Sequence, residues 1–200
     1  MKNSSKSDVK EKILKGAAEL FSRDGYYKVS VREICEAAGV TKPVLYYYFD
    51  DKESLLFEMM QETRKTVNEL IEIHVTSKSN IHFQLEGIIE FYIEFINKYP
   101  HLMKFSTIVQ FMNVPEKVKK YKYDTAKEDW TAIKKLFTEA QNEGYIAKDI
   151  DPMMLSQNFF GSIIAIISRY MMNHIGKVKL KKELYSFLEF WKNQFVIKKV

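Results

Sequence analysis

Between Ser30 and Tyr48 the chain carries a helix start, a helix stop and a second helix start in close succession, and that spacing leaves few folds open. Ser30-Val31-Arg32-Glu33 has the S-x-x-E form, in which a hydroxyl and a carboxylate each satisfy a backbone N–H of the other's residue, so a helix begins at Ser30. Ala37-Ala38-Gly39-Val40 ends it in a tight turn, with Gly39 as the turn residue. Thr41 is placed to cap a third, short helix, with Pro43 in its first turn, where a missing N–H costs nothing. Two short helices so joined form a helix-turn-helix, which needs a further helix to pack against. Ile13, Leu14, Ala17, Ala18, Leu20 and Phe21 supply that apolar face, and Gly25 stops the first helix.

Turn signals divide the remainder in the same way. Asp50-Asp51 precedes a fourth helix through Lys52-Glu53, whose apolar face (Leu56, Met59, Met60, Thr63, Val67, Leu70, Ile71) runs to about His74. Further helices are predicted over 81–98, from Pro100 to about Met112, after Pro115 to near Gly144, over 152–174, and over about 180–197. Only 7 Gly and 4 Pro in 200 residues, with no period-2 strand pattern, make the class all-α with about nine helices. The expected division is a head of residues 1–52 and a helical ligand-binding and dimerisation body of residues 53–200.

Several functions are disfavoured. A lone Cys35 cannot form an internal disulfide, and His74, His82, His101 and His174 lack metal spacing, so no metal and no cofactor is expected. No nucleophile–base pair or Gly-rich phosphate loop marks an enzyme. Glu86, Glu90 and Glu94 recur every fourth residue and read as a solvated or polar stripe. The polar segment Met1–Lys10 is no signal peptide. Phe159–Ile167 is about half of what spans a bilayer, so no membrane contact is expected and the cytoplasm is the expected compartment. The net charge of +5 is compatible with nucleic acid, but the first 52 residues are close to charge-balanced, so particular positions must carry any binding.

The third helix provides such positions. Val31, Ile34, Cys35 and Ala38 give the second helix its buried side, and Val40 and Leu45 point into the same small core. That leaves Lys42, Pro43, Val44, Tyr46, Tyr47 and Tyr48 to be accommodated. Three successive tyrosines cannot share one buried face at 100° per residue, so some face outward, where a ring with a hydroxyl suits phosphate and base-edge contact. Lys42 is expected at guanine acceptors or a phosphate, and Val44 at a thymine methyl. Tyr46 is read as partly structural, its ring against the first helix.

With Ile13-Leu14, Ala17-Ala18-Glu19-Leu20-Phe21, Gly25-Tyr26, Val31-Arg32-Glu33-Ile34, Ala37-Ala38-Gly39-Val40, Leu45-Tyr46-Tyr47-Tyr48-Phe49 and Lys52-Glu53-Ser54-Leu55 in order, the chain resembles the TetR family of bacterial transcription regulators from Ile13 to about Met59. The resemblance implies duplex DNA contacts at Ser30, Val31, Arg32, Thr41, Lys42, Pro43, Val44, Tyr46, Tyr47 and Tyr48, and a phosphate contact at Lys52. Pro43 and Val44 depart from residues frequent in that family, so base preference there does not transfer.

The resemblance also implies a sensor. An apolar or aromatic effector is expected in a pocket between the fourth helix and the helices around 81–145. Its candidate lining is Phe91, Tyr92, Phe95, Phe105, Phe111, Trp130, Phe137 and Phe159, drawn from an aromatic-rich body. The last two helices carry apolar residues beyond one face, and Phe160, Ile163, Ile164, Ile167, Leu184, Phe187, Leu188 and Trp191 are the candidate homodimer interface. The expectation is a ligand-responsive regulator, a repressor on a palindromic operator. Its rivals are a sensor-less regulator or activator, and a helical lipid- or small-molecule-binding protein without DNA binding.

Overall fold

A computed structural model describes residues 6–197, which form nine α-helices: α1 Lys6–Asp24, α2 Val31–Ala38, α3 Lys42–Tyr48, α4 Lys52–Ile71, α5 Ile81–Lys98, α6 Pro100–Val109, α7 Glu116–Asn142, α8 Pro152–Met171 and α9 Lys177–Phe195. Among the described residues there is no strand, only an isolated antiparallel bridge between Ile146 and Val196. None of these helices is long and apolar enough to cross a membrane.

Most helix limits follow local chemistry. Gly25 (φ 80°) and Gly39 (φ 65°) take the left-handed conformation that ends α1 and α2. Asp151 caps α8 by accepting from the Met153 N–H at 2.8 Å, with Pro152 in the first turn. The fourth helix does reach His74, but its last turn, Glu72–Thr76, widens into a π-turn in which the Ser77 N–H donates to the Glu72 carbonyl at 3.3 Å.

The helices group into two compact units. One comprises the residues up to Asn68 together with Ile96–Tyr123; the other comprises Glu69–Phe95 together with the residues from Asp124 onward. In the first, α1 packs against α2 and α6. Its core joins Ile13, Phe21, Ile34, Leu45, Phe49, Leu55, Leu56 and Met59 to Phe105, Val109 and Val118. Gly16 of α1 lets α2 approach: a Cβ there would lie 3.3 Å from that of Ala37.

In the second unit α8 packs along α9. Phe137, Phe159 and Trp191 are fully buried together, with Phe159 and Trp191 ring centroids 5.0 Å apart. The Trp191 indole N–H donates to Asn158 Oδ1 at 2.9 Å, which satisfies the one polar atom of that side chain. Gly87 is required sterically, because a Cβ on it would sit 1.7 Å from the His74 carbonyl oxygen. The carboxylates on α5 form polar pairs: Glu94 lies 2.8 Å from His74 Nε2, and Glu86 accepts from Lys192 at 2.7 Å.

Candidate nucleic-acid interface

The supporting helix α2 is anchored at both ends. The Ser30 N–H donates to Glu33 Oε2 at 2.8 Å, and the Glu33 N–H donates to Ser30 Oγ at 3.3 Å, completing the reciprocal cap. The hydrogen bond from the Ser30 side chain, followed by that from its backbone, holds the Glu33 carboxyl below its ordinary range. At the other end the Val40 N–H donates to the Cys35 carbonyl at 3.0 Å across Gly39. Ile34, Cys35 and Ala38 are buried and Val31 half-buried, as the spacing predicts. Burial pushes the Cys35 thiol pKa up, as for a packing residue rather than a reactive one.

With α2 fixed, α3 presents one side inward and the rest to solvent. Leu45 is fully buried, and the Phe49 N–H closes the helix on the Leu45 carbonyl at 3.0 Å. Thr41, Lys42, Pro43 and Val44 are all exposed. Thr41 occupies the cap position, but its side chain makes no capping hydrogen bond. The tyrosines divide differently from the sequence expectation. Tyr46 is 50% exposed and Tyr47 66%. Tyr48 is instead the half-buried one, packed against the head core and edge-on to Tyr47 at 5.1 Å. The reason is phase: Tyr48 follows Leu45 by three residues and shares its inward side. Arg32 is exposed on α2 and pairs with Glu36 at 3.3 Å.

Lys52 departs most from expectation. Its ammonium turns inward, donating to the Tyr26 carbonyl at 3.0 Å and the Val29 carbonyl at 2.8 Å, and lies 4.3 Å from the Tyr26 ring centroid. No sequence pattern marks where backbone carbonyls converge, so this engagement was not legible beforehand.

The candidates for ligand binding and dimerisation differ widely in burial. Phe105 and Phe111 belong to the first unit, the other six candidate lining residues to the second. Phe111 is 92% exposed and Trp130 40%, whereas Phe105, Phe137 and Phe159 are fully buried packing residues. Phe91 and Phe95 stack at 5.8 Å, with Tyr92 edge-on to Phe91 at 4.9 Å, forming a separate cluster. Of the dimer candidates, Ile163, Ile167, Leu184, Leu188 and Trp191 fill the interior of their own unit and have no surface to offer. Phe160, Ile164 and Phe187 keep surface, with Ile164 41% exposed.

A short helix bearing exposed threonine, lysine and tyrosine side chains, set by a glycine turn against a capped supporting helix, is the helix-turn-helix of a DNA-binding transcription regulator. The profile of bacterial regulatory proteins of the tetR family matches residues 13–59, the stretch from the middle of α1 into α4, and over that stretch the head is of that family. The chain is 22% identical over 161 residues to the fatty acid metabolism regulator protein of Bacillus subtilis, covering 80% of this chain and 82% of that one. It is 30% identical over 112 residues to IcaR, the negative transcriptional regulator of the biofilm operon icaADBC in Staphylococcus aureus, covering 54% and 56%. Among solved structures, the regulator FadR from Bacillus subtilis, in complex with stearoyl-CoA, superposes with a TM-score of 0.67 at 20% identity over 89% of this chain and 96% of that one, a likeness of fold.

Proposed function

We propose that the chain is a cytoplasmic, ligand-responsive repressor that binds a palindromic operator as a homodimer and leaves it when an apolar small molecule binds. The outward row of α3 carries the reading. Thr41, Lys42, Pro43, Val44, Tyr46 and Tyr47 form a continuous exposed surface of hydroxyls, one cation and small apolar groups on a helix short enough to enter a major groove. Arg32 and the Ser30–Val31 turn flank it and supply contacts to the sugar-phosphate backbone. Tyr48 acts from behind, supporting Tyr47.

Two-fold symmetry places paired heads about 34–36 Å apart on successive grooves. The face left for a second copy is the outer side of α8 and α9, where Phe160, Ile164 and Phe187 remain accessible and Gly161 has open space about it. The effector is a molecule with a long apolar portion; the relatives that regulate fatty acid metabolism, one holding stearoyl-CoA, support that chemistry.

Selection of duplexes from random sequence by the purified chain tests the whole reading. The expected product is a palindrome protected over two half-sites, bound by a dimer in sedimentation and released by stearoyl-CoA. Recovery of no enriched sequence rejects the DNA reading. A palindrome indifferent to acyl-CoA and to other lipophilic compounds rejects the sensor alone. Lys42→Ala is expected to reduce affinity for the selected duplex and to lower the slope of log K against log salt by about one if the ammonium meets a phosphate, or to relax preference at one base pair by about 1–3 kcal/mol if it meets a base.

A further inference from the structure

The peptide unit between Val29 and Ser30 is gripped from both sides. Its carbonyl accepts from Lys52 Nζ at 2.8 Å, and its N–H donates to Glu33 Oε2 at 2.8 Å. A peptide is planar, so fixing both polar atoms fixes the orientation of the whole unit, and with it the direction in which the chain enters α2. The same ammonium donates to a second carbonyl, that of Tyr26 at 3.0 Å, and rests on the Tyr26 ring at 4.3 Å. Tyr26 is itself buried against Phe21 of α1, with ring centroids 5.5 Å apart. Lys52 therefore ties three parts of the head at one atom: the first residue of α4, the end of the α1–α2 connection, and the cap of the supporting helix.

An ammonium has three N–H donors. Two of these are committed to carbonyls and the ring occupies a further side, in a half-buried position whose desolvation lowers the ammonium pKa. To reach a phosphate the side chain would have to abandon both carbonyls. Exposed Lys42, by contrast, stands at the first turn of α3.

We propose that Lys52 is a positioning residue for DNA binding, holding the Val29–Ser30 peptide and hence α2 in the orientation that aims α3, and that it is not a phosphate contact. This rests on the head binding duplex DNA, and the test separates the two claims. In the full-length protein without DNA, Lys52→Met is expected to speed amide hydrogen exchange at Ser30 and Glu33 by tenfold or more relative to wild type. With a duplex selected by the wild-type protein, the same variant is expected to bind at least tenfold more weakly at any one salt concentration, with the slope of log K against log salt unchanged. A phosphate contact would instead lower that slope by about one while leaving exchange at those amides unaltered. Either a lowered slope or unaltered exchange overturns the proposal. Lys52→Gln, which removes the charge but keeps an N–H donor, carries the same two readouts should Lys52→Met fail to fold. Failure of the wild-type protein to bind any duplex would reject the DNA reading, while the exchange measurement would still decide the tether.

Discussion

The aromatic residues of α3 and those of α8 and α9 are similar in kind and opposite in fate. Tyr46 and Tyr47 lie largely in solvent; Phe159 and Trp191 are wholly enclosed. The difference lies in how each is spaced. Consecutive positions on a seven-residue helix fan around its axis, so only Leu45 and part of Tyr48 reach the core. On α9, Leu184, Leu188 and Trp191 recur at three and four residues, and the whole row faces one way. An exposed aromatic row on a short helix is a surface with something to meet, whereas an enclosed one on a long helix holds its own unit together.

Mutations can break this contrast. The largest expected effect is at the enclosed end: Trp191→Ala should cost about 3–5 kcal/mol in denaturant unfolding, because it opens a cavity where the fully buried indole was. Next, Gly87→Ala should cost about 1–3 kcal/mol or more, since the added methyl meets the His74 carbonyl and the backbone must shift. In the head, Ser30→Ala should cost about 1 kcal/mol by removing the hydroxyl cap of α2. Glu33 sharpens that result through pH. Its carboxyl is held below the ordinary range, so its stabilisation is fully present above that range and is lost as pH falls through the lowered value. Glu33→Gln should therefore flatten the acid limb of a melting-temperature profile. Smallest in stability is Tyr47→Ala, expected within about 0.5 kcal/mol of wild type by unfolding yet several-fold weaker on the selected duplex. A large stability loss there would make Tyr47 a packing residue and dissolve the contrast.

Much of the fold was readable beforehand because its punctuation is local. The Ser30 cap, the Gly39 stop, and the prolines at 100 and 152 mark helix ends within a few residues of the observed ones. Helix α9 starts earlier than expected, at Lys177, because Gly176 stands at its cap position without a capping side chain to read. The exposed row of α3 was legible for the geometric reason given above, although Tyr46 and Tyr48 exchange their expected roles. What could not be read is anything that depends on distant partners. A stripe such as Leu184, Leu188 and Trp191 looks the same whether it meets its own unit or a second copy. Phe111 and Phe105 are alike in sequence, and only the path of α6 and the loop after it leaves one outside and the other in the core. The inward turn of Lys52 depends on carbonyls more than twenty residues away.

The turn at Gly39 has a consequence for chirality. A Cβ built there meets nothing within 4 Å, so an L-alanine would be opposed by its backbone angle of +65° and not by crowding. Positive angles are the natural territory of residues of the opposite hand. The full-length protein assembled by chemical ligation with D-alanine at this one position should keep its turn and melt above the glycine version, whereas the L-enantiomer should melt below it.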